Sequence, residues 1–116
     1  MTTIDFTAVI ENAQAAAYKA ALLHEKANFS NGKWGACGFA WVNLVEFEGK
    51  QIKGNTKAGK MLKSAGVRQN HERVFYIWNP SRYPTQNVDS LLAGAEAAAK
   101  VLRDNGFTAF ADSRLD

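Results

Sequence analysis

The sequence predicts a small α/β or α+β domain, with three helices packed on a three-stranded sheet in the order α-β-α-β-α-β. Helix-favouring segments alternate along the chain with segments rich in aromatic and β-branched residues. The length of 116 residues fits a single domain, residues 1–116. Hydrophobic residues make up 47% of the chain and charged residues 22%, which is ordinary for a globular protein with a buried core.

The first helix is predicted over residues 7–27, which are rich in alanine. Its apolar stripe recurs at helical spacing, at Ile10, Ala13, Ala17, Ala20 and then Leu23 or His24. Asparagine, serine and three glycines interrupt this pattern over residues 28–38 and predict a loop.

The first strand is predicted over residues 39–47, where aromatic and β-branched residues dominate. Strict alternation gives it two apolar faces, one with Phe39, Trp41, Val45 and Phe47 and the other with Ala40, Val42 and Leu44. We therefore expect this strand to be covered on both sides or to lie at the centre of its sheet.

The second half of the chain continues the alternation. Its predicted elements are a loop or weak edge strand at 48–55, a short helix at 56–66, a strand at 73–79, a proline-pinned loop at 80–86, a helix at 87–106 and a strand at 107–113. Asn55 or Thr56 and Asn87 are expected to cap the two helices. Two connections are long enough for parallel pairing, and the strand order stays open.

Positive charge is concentrated in the middle of the chain. Residues 50–82 contain eight basic residues and a single acid, Glu72, although the formal net charge of the whole chain is only +3. A basic segment between acidic flanks indicates an anionic partner, and a solvated lysine-rich surface is the alternative.

The stretch KGNTKAGKML, residues 53–62, matches seven of the eight positions of the phosphate-binding loop of nucleotide hydrolases. The eighth position needs a serine or threonine for Mg²⁺ and holds Met61, so the sequence disfavours a hydrolase. Lys57, Lys60 and Lys63 instead form a ridge along one side of a helix, where they would bind phosphate as point charges.

Aromatic residues near the basic segment are candidates for stacking on nucleic-acid bases. Trp34, Trp78 and Tyr83 lie in or next to predicted loops, so we expect them to be exposed. Trp41 lies within a strand and is predicted to be core, together with Phe75 and Ile77.

A polar corner is predicted where the strand at 73–79 leads into the last helix. Asn79, Arg82 and Asn87 lie there, close to a helix N-terminus that favours anions, and Arg68 lies on the preceding segment. Arg82 and Arg114 are each able to clamp a phosphate or carboxylate, and turn and capping chemistry is the alternative explanation.

Chemistry at the single cysteine is a weaker hypothesis. Cys37 excludes an internal disulfide, and neither His24 nor His71 is placed beside it by the sequence. The sequence therefore predicts no catalytic residue, no metal and no cofactor. No apolar run is long enough to span a bilayer and residues 1–14 lack a basic signal region, so we expect a cytoplasmic protein without a membrane partner.

Several segments carry a resemblance: ACGFAWVNL (36–44), GNTKAGKMLK (54–63), WNP (78–80), QNVD with AGAEAAAKVL (86–102) and SRLD (113–116). Through them the chain, from about residue 35 onward, resembles a group of small uncharacterised proteins of tailed bacteriophages. No activity is established for that group, so no residue role is implied. The resemblance implies an accessory product made in an infected bacterial cell, with a nucleic-acid or host-protein partner.

The sequence supports two main hypotheses for the function. The first is a non-enzymatic accessory protein that binds nucleic acid or a nucleotide through its basic central segment. The alternative is a protein-interaction module, either an inhibitor of a host protein or a factor that assembles with itself as a homo-oligomer. An enzyme using Cys37 ranks third.

Overall fold

The computed structural model describes residues 4–29 and 35–116. Its elements are α1 (Phe6–Phe29), β1 (Gly38–Phe47), β2 (Lys50–Gln51), α2 (Lys57–Ser64), β3 (Arg68–Gln69), β4 (Phe75–Trp78), α3 (Val88–Asp104) and β5 (Phe107–Leu115). The three predicted helices and the three predicted strands are therefore all present, within a few residues of their expected ends.

The described strands form one antiparallel sheet with β1 at its centre. β5 pairs along one edge of β1, whereas β4 and the β2 hairpin share the other edge, and β3 extends the sheet beyond β4. The prediction of three strands is wrong, because the sheet has five. β2 and β3 have only two residues each, which is too short for the period-2 alternation that reveals a strand in a sequence.

A β-bulge in β1 changes which side chains face the core. The register with β5 shifts between Leu44 and Glu46, so Val45 is the extra residue. Before the bulge the even-numbered residues of β1 face the core, and after it the odd-numbered Phe47 does. The predicted grouping of Phe47 with Phe39 and Trp41 on one face is therefore wrong, because strict alternation ends at Val45.

All three helices contribute to one hydrophobic core on a single face of the sheet. The buried sheet residues there are Ala40, Val42, Leu44, Phe75, Ile77, Phe107 and Ala109. The buried stripe of α1 consists of Phe6, Val9, Ile10, Ala13, Ala17 and Ala21. The predicted stripe is thus correct up to Ala17, whereas Leu23 is 57% exposed.

Small residues allow α1 and α3 to approach each other closely. A Cβ added at Gly94 of α3 would lie 2.9 Å from the carbonyl oxygen of Ala17 and 2.8 Å from Cβ of Ser81. The apolar stripe that helical spacing predicts for α3 is buried, except that Leu92 is only partly buried; its buried members are Val88, Leu91, Ala95, Ala98, Ala99 and Leu102. Ser90 and Gly94 are buried as well, which the apolar pattern does not predict. Among the described residues, no helix has both the length and the apolar character needed to cross a membrane.

Candidate nucleic-acid interface

The face of the sheet opposite the core carries aromatic side chains that remain accessible. We call it the aromatic face and define it by Phe39, Trp41, Tyr76, Trp78 and Phe110. Cross-strand register places these residues on one side, since directly opposed residues of antiparallel strands share a face. Trp78 and Phe110 are 48% and 47% exposed. The prediction of Trp41 as core is therefore wrong, because it lies half-buried on this face.

Trp41 and Trp78 form a stacked pair at the centre of the aromatic face. Their ring centroids are 5.6 Å apart and their planes differ by 13°. The amide of Asn79 donates to the carbonyl of Ala40, which makes the next pair, Trp41 and Trp78, a non-hydrogen-bonded pair. Side chains approach most closely at such positions, so the backbone register itself positions the two rings.

The aromatic cluster extends from this pair to Arg114. The Phe39 ring lies 5.4 Å from that of Trp78, and the Arg114 guanidinium lies over Phe39 at 5.4 Å from its centroid. A guanidinium in this position is attracted by the ring quadrupole and keeps its donors available for a phosphate. Arg114 is thus placed beside the aromatic surface, as a ligand-binding role would require.

A groove runs beside the end of β4 that β3 leaves unpaired, next to the aromatic face. We call it the edge groove; its volume is about 610 Å³. Its lining includes Arg68, Tyr76, Trp78, Arg82, Glu11 and Gln14. Arg68 is opposite Tyr76 in the β3–β4 register, so it also belongs to the uncovered side of the sheet. Two predicted arginines and the exposed tryptophan therefore meet at one edge.

A tight turn directs Arg82 into the edge groove. Asn79 and Arg82 both adopt left-handed backbone angles, with φ of 43° and 54°. Ser81 is buried, and its hydroxyl donates to Oδ1 of Asn79 and accepts from the amide of Tyr83. The predicted corner residues Asn79 and Arg82 therefore act together, with Asn79 shaping the turn and Arg82 exposed at its end.

The predicted lysine ridge lies elsewhere. Lys57 and Lys60 line a hollow against the first residues of α1, and Lys63 donates from Nζ to the carbonyl of Gly54 at 3.2 Å. The structure thus divides the predicted basic residues into two groups. Only the arginines Arg68, Arg82 and Arg114 lie beside exposed aromatic rings.

The loop that resembles a phosphate-binding motif has a structural explanation. Thr56 caps α2 by accepting from the amide of Gly59 and donating to the carbonyl of Lys53. A Cβ at Gly59 would lie 2.0 Å from that carbonyl oxygen, so only glycine fits there. The glycine-lysine spacing therefore reflects the packing of the helix start.

Asn87 belongs to a buried hydrogen-bond network at the other end of α1. We call this network the polar clasp and define it by Glu25, Thr85, Asn87 and Ser90. The carboxylate of Glu25 accepts from Thr85 at 2.9 Å, from Asn87 at 2.9 and 3.1 Å, and from Ser90 at 2.6 Å. Asn87 occupies the predicted N-cap position of α3, but its side chain makes no capping bond to the helix. Its Nδ2 donates to the Glu25 carboxylate, and its Oδ1 accepts from the backbone N–H of Gly35.

The polar clasp has a defined charge state. Burial raises the pKa of the Glu25 carboxyl, but hydrogen bonds from Ser90, Asn87 and Thr85 and the nearby His24 lower it, and the net pKa lies below its ordinary value. Since Ser90 donates to Glu25, its oxygen accepts from Nδ1 of His24 at 3.0 Å. Ser90 is fully buried, which suits a structural hydroxyl and not a nucleophile.

Cys37 is exposed, with its thiol 3.8 Å from Oε1 of Gln86. Within residues 4–29 and 35–116, neither histidine is hydrogen-bonded to it: His24 contacts Ser90, and His71 lies 3.6 Å from Glu72 on the surface. The arrangement does not provide the paired thiol and imidazole that a cysteine nucleophile needs. Of the other predicted stacking residues, Tyr83 is half-buried and packs against Tyr18, and Trp34 lies outside the described residues.

Several site residues were not predicted from the sequence. Phe39 and Phe110 lie in predicted strands without a predicted role, whereas Tyr76 is one of the aromatic residues near the basic segment that the sequence already offers for base stacking. Aromatic residues two positions apart, Phe39 with Trp41 and Tyr76 with Trp78, are a signal for one shared face, but only the register shows that both pairs share it.

Comparisons with protein-family models, with curated proteins and with solved structures found no match to this chain.

Proposed function

We propose that the protein binds single-stranded nucleic acid on its aromatic face and has no catalytic role. The observation that carries the proposal is the Trp41–Trp78 stack on the face of the sheet opposite the helices. Arg114 flanks this stack on one side, and Arg68 and Arg82 flank it on the other. Bases stack on aromatic rings without regard to sequence, and arginines beside them neutralise the phosphates.

The arrangement favours single strands over duplexes. Stacking on a sheet requires bases whose faces are accessible, and a duplex presents only their edges. The acids near this surface include Glu46 and Asp112 of the sheet, which accept hydrogen bonds from Thr108 and from the amide of Ser113, and Glu11 in the edge groove. The setting that goes with this proposal is the one implied by the sequence resemblance, an accessory product in a phage-infected bacterial cell.

The test is binding of a labelled single-stranded oligonucleotide, followed by fluorescence anisotropy at low and moderate salt. We expect Trp78→Ala to weaken binding by about 5- to 150-fold, which corresponds to about 1–3 kcal/mol for one stacked base. The matched control is Tyr18→Ala, because Tyr18 is 46% exposed but lies on α1. It should leave the affinity unchanged.

The arginines and the lysines are compared in the same assay. Arg82→Ala with Arg114→Ala should weaken binding and reduce its salt dependence. Replacing Lys57, Lys60 and Lys63 by glutamate should have the smaller effect, because these lysines lie beside α1. Loss of binding only in the lysine variant would move the interface to α2, and no binding at low salt would remove the proposal.

A second candidate is a protein-interaction module that uses the same face. It is favoured by the exposed apolar side chain of Phe110 on this face, since Phe110 is 47% exposed. Sedimentation equilibrium of the wild type and of Phe110→Ala tests the self-assembling form. A dimer that dissociates in the variant, together with absence of oligonucleotide binding, would replace the first proposal by this one.

A further inference from the structure

We infer that the Asn43 amide hydrogen-bonds to the edge of one base, with adenine preferred, so that the aromatic face discriminates between bases as well as stacking on them. The inference rests on the proposed function, because it assigns a specificity to the same surface. It concerns a residue that makes no contribution to stacking and carries no charge.

Asn43 lies in the middle of the aromatic face. The register places it between Phe110 of β5 and Tyr76 of β4, and Trp41 precedes it on the same side of β1. It pairs with Tyr76 at a non-hydrogen-bonded position, where side chains approach most closely. The register therefore brings the Asn43 amide next to rings on which a base would stack.

The amide of Asn43 makes no hydrogen bond with any other residue of the described ranges, although the residue as a whole is only 8% exposed. Its polar atoms still reach solvent, because no buried side-chain nitrogen or oxygen of the described residues lacks a partner. Four other asparagines of the described ranges have partners within the protein, namely Asn70, Asn79, Asn87 and Asn105. The Asn43 amide is therefore open to a ligand at the centre of the aromatic face.

The chemistry of the amide defines the ligand group. Asn43 offers one acceptor oxygen next to two N–H donors in one plane. Adenine presents a matching donor and acceptor at N6 and N7, and asparagine binds this pair in bidentate fashion. A base that leaves this amide unpaired forgoes both hydrogen bonds and should bind more weakly than adenine.

The test compares oligonucleotides of adenine, cytosine and thymine within each variant. We expect the wild type to prefer the adenine oligonucleotide by about tenfold, the lower part of the range for one bidentate base contact. Asn43→Ala should reduce this ratio to the level that purine stacking alone provides. Taking ratios within one variant cancels any general loss of affinity.

Asn43→Asp is the second variant, with a side chain of the same shape. A carboxylate accepts from N4 of cytosine and has no donor for N7 of adenine, so the preference should shift toward cytosine. Thr108→Ala, on the same side of the sheet, is the control and should keep the wild-type ratio. Circular dichroism and thermal unfolding establish that each variant is folded.

The outcomes separate this inference from the proposed function. Equal affinity of the wild type for the three oligonucleotides, or an unchanged adenine ratio in Asn43→Ala, would overturn the role of Asn43 and leave the stacking proposal standing. Absence of binding to every oligonucleotide would overturn both.

Discussion

The two faces of the sheet are built from the same strands and differ in almost every other respect. On the covered face the residues of β1 before the bulge are small or aliphatic and at most 1% exposed, at Ala40, Val42 and Leu44. On the aromatic face the alternating residues are aromatic or polar, and Trp78 is 48% exposed. Strand propensity does not account for the difference, because the residue with the lowest propensity of the covered set, Ala40, is among its most buried members.

The difference shows what each face is adapted to contact. Small side chains allow α1 and α3 to lie close to the sheet and to each other, as the tight packing at Gly94 illustrates. On the other face, Trp41 and Trp78 stack on each other and the Phe39 ring is tilted against Trp78, so that ring surface remains accessible to a partner. An exposed cluster of this kind on a small protein indicates an interaction site.

The largest expected effect separates the two faces by stability. Leu44→Ala should lower the free energy of unfolding by about 3 kcal/mol, because it opens a cavity in a core that α2 and α3 close. Phe110→Ala, on the other face, should cost about 1 kcal/mol or less, since nearly half of its side chain is already in water. Urea unfolding followed by circular dichroism measures both.

Equal losses of unfolding free energy in Leu44→Ala and Phe110→Ala would contradict this contrast between the two faces. An equally large loss for Phe110→Ala that grows with protein concentration would mean that a second copy covers the aromatic face in solution. A loss independent of concentration would mean that Phe110 is buried within the monomer.

The next effect concerns the polar clasp, which holds the covering helices together. Glu25→Gln should destabilise the protein by about 1–3 kcal/mol at neutral pH, because Ser90 and Asn87 are buried donors that lose part of their acceptor. The aromatic face should keep its binding affinity in this variant, since the polar clasp lies at the end of α1.

The pH dependence of this effect has a defined sign. The folded-state pKa of Glu25 lies below its ordinary value, so the stabilisation is complete above the unfolded pKa and is lost as the pH falls through the folded one. The difference in unfolding free energy between the wild type and Glu25→Gln should therefore become smaller under acid conditions. A difference that grows as the pH falls would contradict this role for the carboxylate.

The sequence predicts the elements of the covered face better than the surface opposite it. Helical spacing and strand propensity identify α1, α3, β1 and β4, because burial of an apolar stripe is a local pattern. The bulge at Val45 is not a local pattern, since it depends on where β5 pairs. The exposure of Trp41 depends on which face the helices cover, and an isolated strand with apolar residues on both faces does not reveal that.

The candidate site was predicted in part for the same reason. Exposure of Trp78 follows from its place next to a loop, and the arginines follow from charge. Their assembly with Phe39 and Phe110 requires the antiparallel order of β4, β1 and β5, which the sequence left open. The lysine ridge was the most visible feature of the sequence and lies outside this assembly, because its spacing reports only the face of one helix.

The smallest expected effect tests whether the aromatic face is preformed. A double-mutant cycle with Trp41→Ala and Trp78→Ala, measured as free energies of unfolding, should give a coupling energy of about 0.5–1.5 kcal/mol. This is the range for stacked aromatic pairs. A cycle with Tyr18→Ala and Trp78→Ala is the control and should be additive, because Tyr18 packs on Tyr83.

Measurable coupling would mean that the two tryptophans hold each other in place before any ligand arrives, so that little side-chain entropy is lost on binding. Coupling near zero, with oligonucleotide binding intact, would describe a face whose rings order only around the ligand. The contrast with the covered face would then be one of mobility as well as exposure, because the core residues are fixed by packing and the tryptophans by their partner.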